Sequence, residues 1–133
     1  MTYGHSAGDT VLRAVSSYLT KALRVSDIAC RFGGEELVII FPECSAQMAV
    51  ARAEEIRSAI EAMHLTDQGQ VLQVTASFGV ASTSTYVNDQ ASLLKAADSA
   101  LYAAKRAGKN RVEYWPAAAH SAQAGSTAPL AWP

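Results

Sequence analysis

The apolar residues of this chain change their spacing several times. A pattern that moves between helical and strand periods fits a fold that alternates helices with strands. Val11, Val15, Leu19 and Leu23 recur at helical spacing after Asp9, a residue suited to capping, which predicts a first amphipathic helix to about Arg24. Ile28–Phe32 reads as a short strand and Leu37–Phe41 (LVIIF) as an unbroken β-favouring run, so Gly33, Gly34, Glu35 and Glu36 between them form the connection of a hairpin. Ser45 can cap a second helix through about Met63, with Ala49, the Arg52 stem, Ile56, Ala59, Ile60 and Met63 on its inner face. Thr66–Gly69 reads as loop and Val71–Val80 as strand. Asn88 or Asp89 opens a third helix, whose Leu94, Ala97, Leu101 and Ala104 share a face until Gly108 stops it, and Arg111–Trp115 is a final strand. The predicted order is helix, strand, strand, helix, strand, helix, strand, with no internal repeat.

A length of 133 residues, half of them apolar, suits one domain with one core and excludes collagenous, disordered and disulfide-scaffold classes. Twenty-six of the residues are alanine, which buries little surface, so the core is thinner than that fraction implies. Pro116–Pro133 holds seven alanines, three of the four prolines and no charge, and has no helical or strand period, so a disordered tail over 116–133 follows a folded unit over 1–115. Eleven basic against 12 acidic residues give no basic excess for coating nucleic acid, and any polyanion must be met by a local cluster. Cys30 and Cys44 are too few for a disulfide framework and lack metal-ligand spacing, which fits a reducing, cytoplasmic compartment. No apolar run is long enough to cross a membrane, and MTYGHSAGDT is not a signal peptide, so no membrane contact by this segment is expected; a longer parent protein could still be anchored.

Chemistry concentrates in RFGGEEL, residues 31–37. Glycines leave backbone N–H groups open to an approaching phosphate, and adjacent carboxylates can hold a hard cation such as Mg²⁺ beside a triphosphate or accept a proton. An ordinary glycine hairpin with solvated acids has the same residues. Lys105, Arg106, Lys109 and Arg111 put four bases within seven positions, and the spacing of Lys105 and Lys109 predicts one shared helix face, suited either to phosphate or to the negative end of the helix dipole. Arg24 and Asp27 are three apart and could be a local ion pair or a ligand site. His5, His64 and His120 are scattered and form no acyl-transfer arrangement.

In order, YGHSAGDTVLR (3–13), RVSD (24–27), RFGGEEL (31–37), SFGVA (77–81) and LYAAKRAGKNRV (101–112) resemble the successive signatures of the GGDEF domain of diguanylate cyclases. The resemblance covers residues 3 to about 115. It implies an α/β (α+β) palm similar to nucleotidyl cyclases, with a central, mostly antiparallel sheet flanked by helices. It also implies a Mg²⁺- or Mn²⁺-dependent transferase of bacterial second-messenger signalling that condenses two GTP into cyclic di-GMP and pyrophosphate. A homodimer is needed, because each domain holds one GTP. By the same resemblance Gly33 and Gly34 contact phosphate, and Glu35 and Glu36 are the catalytic and metal-binding acids. Asp9 contacts the guanine edge, and Lys105 and Lys109 bind phosphate. Arg24 and Asp27 form the RxxD inhibitory site, where product binds and acts allosterically; an arginine can take a phosphate or the Hoogsteen edge of guanine, and an aspartate can accept from guanine N–H groups.

The family pattern has a strand with a metal-binding aspartate and a guanine-reading asparagine before the YGH motif, whereas here Tyr3 follows Met1 and Thr2. The expectation is therefore a domain lacking its first strand and helix, weak or inactive alone, from a parent with an upstream sensory or regulatory domain. The alternative is a non-catalytic cyclic di-GMP receptor or regulatory domain acting through Arg24 and Asp27.

Overall fold

The computed structural model describes residues 5–31, 36–84, 87–115 and 126–131. Among these residues three helices, α1 (His5–Ala22), α2 (Ala46–Glu61) and α3 (Gln90–Arg106), and seven strands follow one another. The strands are β1 (Ile28–Arg31), β2 (Glu36–Phe41), β3 (Leu65–Asp67), β4 (Gln70–Leu72), β5 (Ser77–Ser82), β6 (Val112–Trp115) and β7 (Ser126–Ala131). The main sheet has the order β1-β2-β7-β5-β6, and β3 and β4 form a separate antiparallel hairpin. In the main sheet β5 and β6 are parallel and every other pairing is antiparallel, as the resemblance implied.

The alternation of side chains along β5 builds a core on both faces of the sheet. Phe78 and Val80 point into a cluster with Val11, Val15 and Leu19 of α1, Ala49, Ala53, Ile56 and Ile60 of α2, and Leu37, Ile39 and Phe41 of β2. Ala81 faces the other way, against Ala96 and Ala97 of α3. Gly79 lies so close to α3 that a β-carbon there would fall on the backbone of Ala97 and Leu101. Alanine thus serves as the small residue that lets helix and sheet approach.

The element boundaries depart from the sequence reading where local chemistry overrides periodicity. Helix α1 begins at His5, so Asp9 lies inside the helix instead of capping it. Ser45 and Asp89 do cap α2 and α3: the Ser45 hydroxyl accepts from Met48 N–H, and Asp89 forms a reciprocal capping box with Ser92. The predicted loop Thr66–Gly69 is instead the end of β3 and a tight turn into β4, and the predicted strand Val71–Val80 is divided between β4 and β5. The largest difference lies in the segment expected to be a disordered tail. Ser126–Ala131 is strand β7, pairing with all of β2 on one side and with Ser77, Phe78, Ala81 and Ser82 of β5 on the other. Strands β2 and β5 are buried along most of their length, so their backbone groups need partners, and an unpatterned uncharged segment satisfies them through its main chain alone.

Candidate functional site

The hairpin of β1 and β2 has its register fixed by Arg31 opposite Leu37. Phe32, Gly33, Gly34 and Glu35 lie outside the described residues, whereas Glu36 opens β2 and is half-buried. Asp9 sits on the exposed side of α1.

Lys105 lies in the last turn of α3, but Lys109 is beyond the helix and does not continue its face. Gly108 has φ +125°, a conformation that costs glycine little, and it ends the helix; Lys109 and Asn110 follow with φ 64° and 50°. The turn is held by Lys109 N–H donating to Ala104 C=O at 2.9 Å and Asn110 N–H donating to the Ser77 hydroxyl at 3.1 Å. The Asn110 side chain continues the network. Its oxygen accepts from Arg57 Nη1 at 2.7 Å, its amide donates to Glu61 at 2.8 Å, and Arg57 also grips Glu54 and Glu61. The Asn110 amide, with Arg57 second, holds the Glu61 carboxyl below the ordinary range. Helix α2 is thereby tied to the turn that carries Lys109, and both lysines are exposed. Asn110 was missed by sequence reasoning; its signal is the residue after a basic position just past a helix-ending glycine.

Arg24 and Asp27 form a second organised polar cluster. The Asp27 side chain is fully buried, and its Oδ2 accepts from the backbone N–H of Arg24 at 2.7 Å. Oδ1 accepts from Arg24 Nε and Nη2 at 3.0 and 2.8 Å. The same Nη2 donates to Pro42 C=O at 2.9 Å. From α2, Arg52 Nη1 stands 2.8 Å from Asp27 Oδ2. That nitrogen makes no hydrogen bond of good direction, so the contact is Coulombic. Burial opposes ionisation of Asp27, but the bonds from the Arg24 side chain and backbone and the Arg52 charge outweigh it and hold the carboxyl below its usual range. The bond to Asp27 correspondingly raises Arg24. Burial pushes the neighbouring Cys44 thiol up.

A cleft of about 510 Å³ opens beside this cluster, lined by Leu12, Ser16 and Leu19 of α1, by Arg24, Val25 and Asp27, and by Arg31 and Leu37 of the hairpin. Val25 is fully exposed and the Arg24 side chain 44% exposed, so the cleft offers an apolar contact beside a guanidinium. Asp27 is oriented to hold Arg24. The pair is thus the local ion pair that its spacing allowed, with the Asp27 carboxylate engaged by Arg24.

The family model described as "Diguanylate cyclase, GGDEF domain" matches residues 1–111. The chain belongs to the GGDEF domain family. Diguanylate cyclase A of Treponema denticola is 40% identical over 111 residues, which cover 84% of this chain and 30% of that protein. Diguanylate cyclase DosC of Escherichia coli is 40% identical over 117 residues, covering 87% of this chain and 25% of its own. The chain therefore spans about a quarter to a third of the length of these curated relatives. Among solved structures, the GGDEF domain of DgcB from Caulobacter crescentus in complex with c-di-GMP aligns with a TM-score of 0.78 at 35% identity, covering 85% of this chain and 67% of that one. The active GGEEF domain of a diguanylate cyclase from Vibrio cholerae aligns at 0.77 and 29%, covering 85% and 71%. Strand β7 lies beyond the residues that the family model matches, although it occupies the middle of the sheet. No helix among the described residues is long and apolar enough to cross a membrane.

Proposed function

We propose that this chain is the GTP-condensing domain of a cytoplasmic diguanylate cyclase and that the cleft beside Arg24 takes the product, cyclic di-GMP, back as an inhibitor. The observation that carries the reading is the family match over residues 1–111 with the glycine pair and both acids of RFGGEEL intact. In the reaction the 3′-hydroxyl oxygen of each GTP bonds to the α-phosphorus of the other. The bond from that phosphorus to the bridging oxygen breaks, one pyrophosphate leaves per attack, and the hydroxyl proton passes to a base. Two copies of the domain meet face to face, because one site cannot hold both reacting nucleotides in line.

In this reading Gly33 and Gly34 open backbone N–H groups to phosphate, Asp9 reads the guanine edge from the exposed side of α1, and Glu35 accepts the proton. Lys105 and Lys109 reach the phosphates from the end of α3 and from the turn beyond it, two directions instead of one helix face. Glu35 and Glu36 supply hard carboxylate oxygens, the donor chemistry that Mg²⁺ or Mn²⁺ takes; a bound cation there offsets charge on the α-phosphate.

Incubation with GTP and Mg²⁺, following cyclic di-GMP and pyrophosphate together, tests this reading. Glu35→Gln is expected to lower turnover by about 100-fold or more, and undiminished turnover in that variant removes Glu35 as the base. A second reading, a receptor that binds cyclic di-GMP without turnover, draws on the preorganised Arg24–Asp27 cluster. Calorimetric binding of cyclic di-GMP with neither binding of GTP nor product from it decides for it. Unchanged affinity in Arg24→Ala removes the cleft from either reading.

A further inference from the structure

Arg52 is a charged residue on the inner face of α2, where an aliphatic side chain would suffice for packing. Its guanidinium lies over the ring of Phe41, 4.6 Å from the centroid, and Phe41 itself is wholly buried. One edge meets Asp27 Oδ2 at 2.8 Å, and Nη2 reaches Ala22 C=O, at the end of α1, at 3.4 Å. The side chain is 17% exposed and does not line the cleft. Arg52 thus joins α1, the α1–β1 turn, β2 and α2 at one point, and it touches the cleft only through Asp27.

The charge count gives that contact a purpose. Arg24 and Asp27 alone sum to zero, a pair with little attraction for an anion. With Arg52 the three side chains sum to one positive charge, which Glu43 of the β2–α2 turn, acting on Arg24, offsets in part. Arg52 adds to the larger effect of Arg24 in keeping Asp27 ionised, and ionised Asp27 is what fixes Nε and Nη2 of Arg24.

We propose that Arg52 is a positioning residue for cyclic di-GMP binding in this cleft, acting through Asp27 to set both the orientation of Arg24 and the charge that an anionic ligand meets. The proposal rests on the cleft reading given above and adds its control element. A merely structural Arg52 would change melting temperature and leave the pH profile of binding unmoved. As positioning residue it controls that profile. The groups facing Asp27 are Arg24 from its own turn, Arg52 from α2, and Cys44 from the β2–α2 turn, with Glu43 of that turn acting on Arg24. Removing the Arg52 charge leaves burial opposed by Arg24 alone, so the carboxyl titrates at higher pH and releases Arg24 as it protonates.

The experiment is calorimetry of cyclic di-GMP against the full chain from pH 4.5 to 8, with wild type, Arg24→Ala, Arg52→Gln and Arg52→Lys. Expected are a flat profile for wild type and loss of binding in Arg24→Ala. Arg52→Gln should bind about tenfold more weakly at pH 7 and fall further toward acid, and Arg52→Lys, which keeps the charge and lacks the planar stack on Phe41, should recover most of the affinity. Equal affinity and an equally flat profile for wild type and Arg52→Gln overturn the proposal while leaving the cleft reading intact. Should Arg52→Gln fail to fold, Arg52→Lys decides: a wild-type pH profile supports the role of the charge, and an acid-sensitive one overturns it. No binding by wild type removes the cleft reading and the proposal together.

Discussion

Asp27 has no exposed side-chain surface, accepts from the backbone amide and the guanidinium of Arg24 and meets the charge of Arg52, so replacing it removes several charge-assisted contacts at once. Asp27→Asn is expected to cost about 2 kcal/mol at pH 7, measured by urea unfolding. The folded-state carboxyl titrates below its unfolded value, so its stabilisation is complete above the unfolded pKa and is lost as pH falls through the folded one. The gap between wild type and Asp27→Asn should therefore begin to narrow below about pH 4 and close as pH falls through the folded-state value; a gap unchanged at pH 2.5 would contradict the ionised assignment. Asn110→Ala should likewise lower stability by about 2 kcal/mol and raise the KM for GTP more than it lowers kcat, because Asn110 shapes the turn bearing Lys109. At this scale the sequence offered candidate residues and said little about how they face. The spacing of Lys105 and Lys109 predicted a shared helix face, and the positive φ of Gly108 sends the chain elsewhere before Lys109 is reached. Arg52 looked like a stem covering the core, since a one-dimensional pattern shows that its position is buried and not what its guanidinium meets.

Helix α3 is placed by β5, against which it packs at Gly79. Gly79→Ala forces Ala97 and Leu101 away and moves the whole helix, Lys105 included. A loss of about 3 kcal/mol or more is expected, read as a fall in melting temperature together with weaker GTP binding; a variant as stable as wild type would show that the helix can shift without cost. Asp89→Ala removes the capping box and should lower the melting temperature without affecting β5. Long periodic elements such as α2 and α3 were legible because caps and spacing agree, Ser45 and Asp89 marking their starts. The β3–β4 hairpin was not, because three-residue strands carry no measurable period. Its turn, Gln68 and Gly69 with φ 51° and 79°, falls within the stretch that reads as loop, but the pairing on either side of it shows only in the backbone.

The sheet as a whole depends on a segment that no pattern announced. Its pairing uses main-chain groups, so composition gave no hint of it, and Pro129 opposite Val38 would ordinarily argue against an interior strand. Proline has no N–H to donate, and the registered partners of β7 on β5 skip Gly79 and Val80, the residues beside that position. Truncation after Trp115 should therefore expose the facing edges of β2 and β5, lower the melting temperature and produce concentration-dependent association in sedimentation. A truncated chain that stays monomeric with an unchanged melting temperature would mean that β7 contributes nothing. The strand is covalently joined to β6 through only ten intervening residues, 116–125. A tether of that length presents β7 to its slot at an effective concentration of about millimolar. A strand offered by a separate molecule at cellular, micromolar levels competes poorly against it, so replacement of β7 is open chiefly to a segment of the same polypeptide.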